Sequence, residues 1–490
     1  MSVDFSDDPA ATGFFAPTRF EASLHDCEVE GEIPAAISGT FYRACIDRRY
    51  PKRFADDNIL NDDGAIDMFR FDDGHVDYRS RHVRTQRFLD ERQARRALYG
   101  RYRNKTTSVP QVCGRSHNTA NTAPVYHGGR LFMLKESEPP TEMDPHSLRT
   151  LGEYDYGGGL TSVSFTAHPK IDMATGEMLA FGYEATGDQS TDIDIYWIAP
   201  TGRIGRRVRV QAPYVSEMHD WAISEKHIVL PTTGMVTSPE RIERGELYWA
   251  FDPDIPVRVG IMPRDGEAKD MRWFKVPPRH GMVHSINAVT EGEKVHLYAP
   301  ITEYPYFGLF PTVDGGMGDP SQSHCTVRRW TFDLSKSDDD AFSEDILYNV
   351  LGSSFSRMDD RYVGHPFRYS FLSITDPAYP YDEARGGRLP RTISNAYARF
   401  DHATGGMETL HVGHTHMLLE PSFIPRSKDA PEGDGYLIGV AGNLAEMRSE
   451  LIIADARHLA DGVIARVRMP FRLHSQVHGW WVPKAELPFA

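Results

Sequence analysis

Cysteine is scarce in this chain. Only Cys27, Cys45, Cys113 and Cys325 occur in 490 residues, and no two form a CxxC pair. A disulfide framework is thereby excluded, and reduced thiols in a cytoplasmic protein are predicted. Positive charge is also in deficit. Lys and Arg number 54 against 69 Asp and Glu, a net charge of −15. That balance argues against nucleic acid or an anionic membrane as partner, since both need a basic face. No uninterrupted apolar run approaches the ~20 residues that a membrane span requires. The acidic start, Met1-Ser-Val-Asp-Phe-Ser-Asp-Asp8, lacks the basic and apolar regions of a signal peptide. Catalytic signatures are missing too. There is no HExxH and no GxSxG, and the run Gly157-Gly-Gly159 lacks the Lys-Ser/Thr of a P-loop, so it reads as a tight turn.

What is present is the make-up of a globular protein, 40% hydrophobic and 25% charged. Short strand-like runs alternate with Asp/Gly turns along the whole length. Met68-Phe-Arg-Phe71 and Val76-Asp-Tyr78 flank Asp72-Asp-Gly74, and Arg130 to Leu134 forms a further run. Ile171 to Gly176 precedes Met178-Leu-Ala-Phe181, and Phe400 to Gly405 precedes Glu408 to Val412. Such runs read as antiparallel hairpins. Many hairpins with no βαβ alternation favour an all-β propeller over a sandwich, although the repeat is too irregular for a WD40 or kelch array. One helix is predicted, from about Gln86 to Tyr99, where Phe88, Leu89, Ala94, Ala97 and Leu98 recur at helical spacing. Residues 302–322, rich in Gly, Pro and aromatics, read as a long functional loop or cap. No domain boundary is evident, so residues 1–490 are taken as one domain, with cap elements at about 86–110 and 302–322.

Histidine is plentiful, with 21 residues. Imidazole is the commonest metal ligand among side chains, yet position alone does not select ligands from so many. Two HxxxH pairs occur, His280/His284 and His474/His478, both in strand-like contexts. Residues four apart on a strand lie roughly 13 Å apart and cannot share one ion.

Four histidines have distinctive flanks: Phe165-Thr-Ala-His168-Pro-Lys, Glu217-Met-His219-Asp-Trp, His284-Ser-Ile-Asn and Gln476-Val-His478-Gly-Trp-Trp. With them stand Gly39-Thr-Phe-Tyr-Arg43, Arg79-Ser-Arg-His-Val-Arg-Thr85, Gly100-Arg-Tyr-Arg-Asn104 and Glu420-Pro-Ser-Phe-Ile-Pro-Arg426. In this order the motifs resemble the carotenoid cleavage oxygenases, and within them the bacterial lignostilbene dioxygenases, from about Val29 to the last residues. The resemblance implies a seven-bladed β-propeller with a helical and loop cap over a non-haem iron on its axis. It implies His168, His219, His284 and His478 as ligands of iron(II), with no organic cofactor. Four neutral ligands with open coordination positions suit iron(II) to oxygen chemistry. It further implies Glu136 and Glu420 as acceptors that orient ligand imidazoles. At a third such position the family carries a glutamate, where this chain has Ser354 within Ser353-Ser-Phe-Ser-Arg357. A serine accepts a hydrogen bond but brings no negative charge.

For the substrate, the resemblance points to Tyr102 and Lys135, matching a tyrosine and a lysine directed at a substrate phenol. An ammonium beside a phenol of pKa ~10 favours the phenolate and enriches the conjugated alkene. Tyr306 and Phe307 are candidate stacking residues in the loop. Ile59 and Leu60 stand where relatives carry a phenylalanine, so Leu60 is a candidate substrate contact. The expected reaction is cleavage of the central alkene of a 4-hydroxystilbene by dioxygen to two aromatic aldehydes. Cleavage of an apocarotenoid or another phenylpropenoid is the alternative within the family, and a non-catalytic propeller binding protein the alternative from another class. A homodimer is the family's habit.

Overall fold

The computed structural model describes residues 3–5, 8, 11–302, 309–317, 325–389 and 392–487, with backbone alone at 351–354. Among the described residues, seven antiparallel sheets of four or five strands form, with one further two-stranded pair. Most strands pair with their neighbours in sequence as hairpins, as the Asp/Gly turns predict. The hairpin from Gly64–Asp72 to His75–His82, for example, turns through Asp73 and Gly74, both at positive φ. The seven innermost strands are Ala123–His127, Lys170–Asp172, Ala222–Ile223, Gly281–Met282 with Asn287–Glu291, Leu351–Met358, His416–Pro425 and Ser475–Pro483. The sheets are the blades of a propeller, and Ser475–Pro483 contacts both His416–Pro425 and Ala123–His127 across the ring.

The two ends of the chain close this ring. Ser475–Pro483 pairs with Gly39–Ile46, so the last blade is built from the C-terminal strand and four N-terminal ones. Glu28–Gly31 adds to the outer edge of the preceding blade beside Val463–Arg468. Ion pairing fixes the closure internally. Arg43, fully buried, donates to Asp67 at 2.7 Å and to Gln476 at 2.8 Å, joining three strands.

The core lies between blades rather than in one central mass. Val229, Val259 and Phe274 of one blade meet Val295, Leu297 and Trp330 of the next. Inner and middle strands are buried on both faces and read as apolar runs, such as Gly435–Asn443, buried throughout. Outer strands keep the alternation of a half-exposed strand, as in Ile204–Gln211.

The predicted helix is shorter than expected. It spans Gln86–Ala94, begins on Thr85, whose hydroxyl accepts from the Phe88 N–H, and ends where Arg95 turns left-handed at φ 54°. The Glu91 carboxylate then accepts the backbone N–H groups of Leu98 and Tyr99, at 2.8 and 3.1 Å, and holds that stretch out of the helix. Two short 3-10 turns, Lys105–Thr107 and Pro110–Val112, follow it. Of the second cap element, residues 303–308 and 318–322 lie outside the described residues, and with them Tyr306 and Phe307.

Candidate metal centre

His168, His219, His284 and His478 converge, each offering a nitrogen within 4.8 Å of the others. The Nε2 atoms of His168 and His219 are 3.1 Å apart, as are those of His219 and His284. His478 lies on the strand Ser475–Pro483. His168 and His219 sit just before the innermost strands of successive blades, and His284 lies between Gly281–Met282 and Asn287–Glu291 of the next. The two HxxxH pairs do not act as pairs. His280 bonds toward Glu344, and His474 bonds Asp67.

Neighbouring groups fix the rings. His219 Nδ1 lies 2.6 Å from Glu136 Oε2, and His478 Nδ1 lies 2.8 Å from Glu420 Oε1. A carboxylate at Nδ1 holds the proton there and leaves Nε2 with a bare lone pair. Bare lone pairs facing one another repel unless a cation lies among them. Among the described residues, His478 Nε2 is buried without a hydrogen-bond partner. Ligands at right angles around an ion ~2.1 Å away stand roughly 3.0 Å apart, and the observed 3.1 Å spacings fit that arrangement. The residues therefore suit a metal. Burial, and then the three other imidazoles, holds the His168 ring well below the usual histidine range, so it stays neutral. For His219 burial acts in the same direction, but the Glu136 carboxylate outweighs it and raises the pKa. Glu136 itself is held at about 2, against its burial, by His219.

Further residues brace the site without standing out in the sequence. The Asp220 carboxylate accepts from Lys170 Nζ at 2.7 Å and from the backbone N–H and hydroxyl of Ser285 at 2.6 and 2.9 Å. It thus ties the segments carrying His168, His219 and His284 together. The Trp221 indole N–H donates to the His168 carbonyl at 2.8 Å. Phe355 stacks on His284 with centroids 5.3 Å apart. Asp220, Trp221 and Ser285 lie inside the conspicuous histidine flanks, but only folding shows what they bind. The strand Leu351–Met358 brings Ser354 to this side of the ring, and its side chain lies outside the described residues. A cavity of about 100 Å³ reaches His168, His284 and His478 past Lys170, Asp220 and Arg357.

Tyr102 and Lys135 meet, both buried, with the ammonium 4.7 Å from the tyrosine ring centroid. Lys135 Nζ donates to the Leu60 carbonyl at 2.9 Å and to Asn121 Oδ1 at 3.2 Å. The Tyr102 hydroxyl donates to Glu136 Oε1 at 3.0 Å, which places it one residue from His219. Burial pushes the Lys135 ammonium down to about 8, with Glu136 opposing. Burial, then Glu136, pushes the Tyr102 hydroxyl well above the usual range, so it remains protonated. Leu60 contributes its carbonyl to Lys135 and packs its side chain into the cluster around Tyr102, with Phe310 and Leu309. Asn121, absent from the sequence reading, links Lys135 to the carbonyls of Leu60 and Asp62.

Four histidines converge on a seven-bladed ring in an arrangement that could hold a metal ion. The signature of the retinal pigment epithelial membrane protein (RPE65) family matches residues 15–483, and the chain belongs to this family, the carotenoid cleavage oxygenases. It is 38% identical over 488 residues to lignostilbene-alpha,beta-dioxygenase isozyme III of Sphingomonas paucimobilis, covering 99% of each chain. Isoeugenol monooxygenase of Pseudomonas putida is 36% identical over 484 residues, covering 99% of this chain and 100% of that one. The crystal structure of Pseudomonas brassicacearum lignostilbene dioxygenase superposes with a TM-score of 0.95 at 39% identity, covering 98% of this chain and 100% of that one. The protein is thus an oxygenase of this family. Among the described residues, no helix is long and apolar enough to cross a membrane.

Proposed function

We propose that this chain is an iron(II)-dependent dioxygenase that cleaves the central alkene of a 4-hydroxystilbene. The reaction balances as one alkene and one dioxygen giving two aromatic aldehydes. The observation that carries the reading is the buried Tyr102–Lys135 pair, joined through Glu136 to His219. His168, His219, His284 and His478 would hold the iron, with Glu136 and Glu420 orienting two of the rings. Iron(II) held by four neutral imidazoles supplies oxygen binding and activation.

Lys135 and Tyr102 offer complementary contacts to a phenol. Two of the three Lys135 N–H groups are taken by Leu60 and Asn121, and the third can donate to the phenol oxygen. The Tyr102 hydroxyl gives its hydrogen to Glu136, so its lone pairs can accept a hydrogen bond from the phenol. An adjacent ammonium favours the phenolate, and each unit of pKa shift corresponds to ~1.36 kcal/mol. Conjugation then carries electron density to the alkene. Leu60 and the apolar cluster around Tyr102 would flank the ring, and Phe307 is a further contact proposed from the family resemblance alone. Residues 1–490 are taken as one functional unit, whose partners are dioxygen and one small aromatic substrate.

The relative that acts on isoeugenol supports a second reading, a 4-hydroxyphenylpropene as substrate, because the same pair would serve that phenol. Oxygen uptake by the iron-loaded protein separates the readings. A 4-hydroxystilbene is expected to be consumed fastest, ahead of its 4-methoxy analogue, a 4-hydroxyphenylpropene and an apocarotenoid. No uptake with any 4-hydroxystilbene would sink the substrate class.

A further inference from the structure

A second group of ligand-type side chains lies in the sheet that closes the ring. Asp47 follows Gly39–Ile46, His82 ends His75–His82, and His474 precedes Ser475–Pro483. One ligand atom from each lies within 4.8 Å of the others. His82 Nε2 is 2.9 Å from Asp47 Oδ2, and His474 Nε2 is 3.7 Å from the same oxygen. The three side chains are 2% exposed or less.

The hydrogen bonding around this group is incomplete. His474 Nδ1 lies 3.0 Å from Asp67 Oδ1 and donates its proton there. Its Nε2 is left facing Asp47, buried and, among the described residues, without a hydrogen-bond partner. His82 Nδ1 is likewise without a partner, 3.7 Å from Glu21 Oε1. His474 thus has a hydrogen-bonded carboxylate behind it and a second in front, the arrangement that orients a histidine ligand. Ligand atoms around a tetrahedral ion with bonds of ~2.0–2.1 Å stand roughly 3.3 Å apart. The two measured spacings bracket that value.

Charge points the same way. Arg43 pairs with Asp67, whereas the only ion-pair partners of Asp47 among the described residues are the two histidines. Its carboxylate also accepts from the backbone N–H groups of Thr18 and Arg19, each at 2.7 Å. Asp47 and His474 also line a largely apolar cavity of about 270 Å³, which leaves room for a water as fourth ligand.

We propose that Asp47, His82 and His474 bind one divalent ion of zinc type, clamping the seam where the two ends of the chain share a sheet. Two imidazoles and a carboxylate are a zinc donor set. Because the three residues come from strands remote in sequence, the ion would bind the folded ring and not the unfolded chain, and so stabilise it.

The test uses the full-length protein stripped with chelator and titrated with Zn²⁺ or Co²⁺. The readouts are bound metal after desalting, the Co²⁺ absorption spectrum and the thermal midpoint. Wild type is expected to take two equivalents per chain. His474→Gln and His82→Gln should each lose one, with affinity at the seam falling at least ~100-fold. His284→Gln should keep the seam ion and still be thermally stabilised by zinc, an arm that needs no seam variant to fold. A His284→Gln chain that binds no metal overturns the proposal. So does a wild-type chain with a single equivalent that survives His474→Gln and disappears in His284→Gln. A single equivalent with the opposite pattern supports the seam site and contradicts the four-histidine reading instead.

Discussion

Lys135 is the residue on which the proposed substrate choice turns, and its burial gives it a pH signature. The free-enzyme kcat/KM on a 4-hydroxystilbene should fall as pH rises through about 8, where the ammonium loses its proton. Lys135→Arg, charged throughout, should abolish that limb, and a pH–rate profile of both proteins checks it. For stability the sign is opposite. The unfolded chain binds this proton more tightly than the native one, so the residue's contribution to stability should rise between pH ~8 and ~10.5. Lys135→Met should cost about 10–100-fold in kcat/KM on the phenol, the worth of a charged hydrogen bond of about 1.5–3 kcal/mol. The 4-methoxy analogue should feel the change far less. Glu420→Gln should weaken iron binding about 10–100-fold, measured by competition with a chelator, because Glu420 accepts from both His478 and the Gly479 N–H. Residues of this kind were legible in sequence only where a motif surrounds them. Asn121 and Asp220 were not, because their partners Lys135 and Ser285 are brought to them by other segments of the chain.

At the scale of elements, hairpins were easy to read and endings were not. The turns at Asp73-Gly74 and Gly176 announce themselves because glycine adopts φ near +70 to +80° at no steric cost, and Gly74 and Gly176 lie at 81° and 72°. The helix stop at Ala94 does not, since the residues after it keep helical spacing and the break comes from the Glu91 side chain capping Leu98 and Tyr99. Strand spacing also hid how three of the histidines are presented. They lie in the irregular entries to the inner strands, where a chain can aim side chains that a regular pleat would turn away. The closing sheet depends on buried charge, and this too is testable. Asp67→Ala would strip Arg43 of its carboxylate partner and His474 Nδ1 of its acceptor. A loss of about 3–5 kcal/mol is expected from leaving a buried guanidinium unpaired, read as a lower denaturation midpoint.

For the molecule as a whole, the sequence indicated a ring of hairpins without showing how the ring shuts. Nothing in Gly39–Ile46 or Ser475–Pro483 alone states that they pair, because a ladder between strands remote in sequence is a property of the closed fold. The family resemblance supplied the number of blades, and the seven sheets agree with it. It also indicated the chemistry, through four histidines that no spacing rule relates. The central claim is that this ring holds iron for oxygen cleavage of a phenolic alkene. The direct measurement is product stoichiometry with ¹⁸O₂, on anaerobically iron-loaded protein given one 4-hydroxystilbene. One dioxygen consumed per alkene, with label in both aldehydes from the first turnovers, is the predicted result. Uptake without aldehydes, or label confined to one product when exchange with water is controlled, would contradict it.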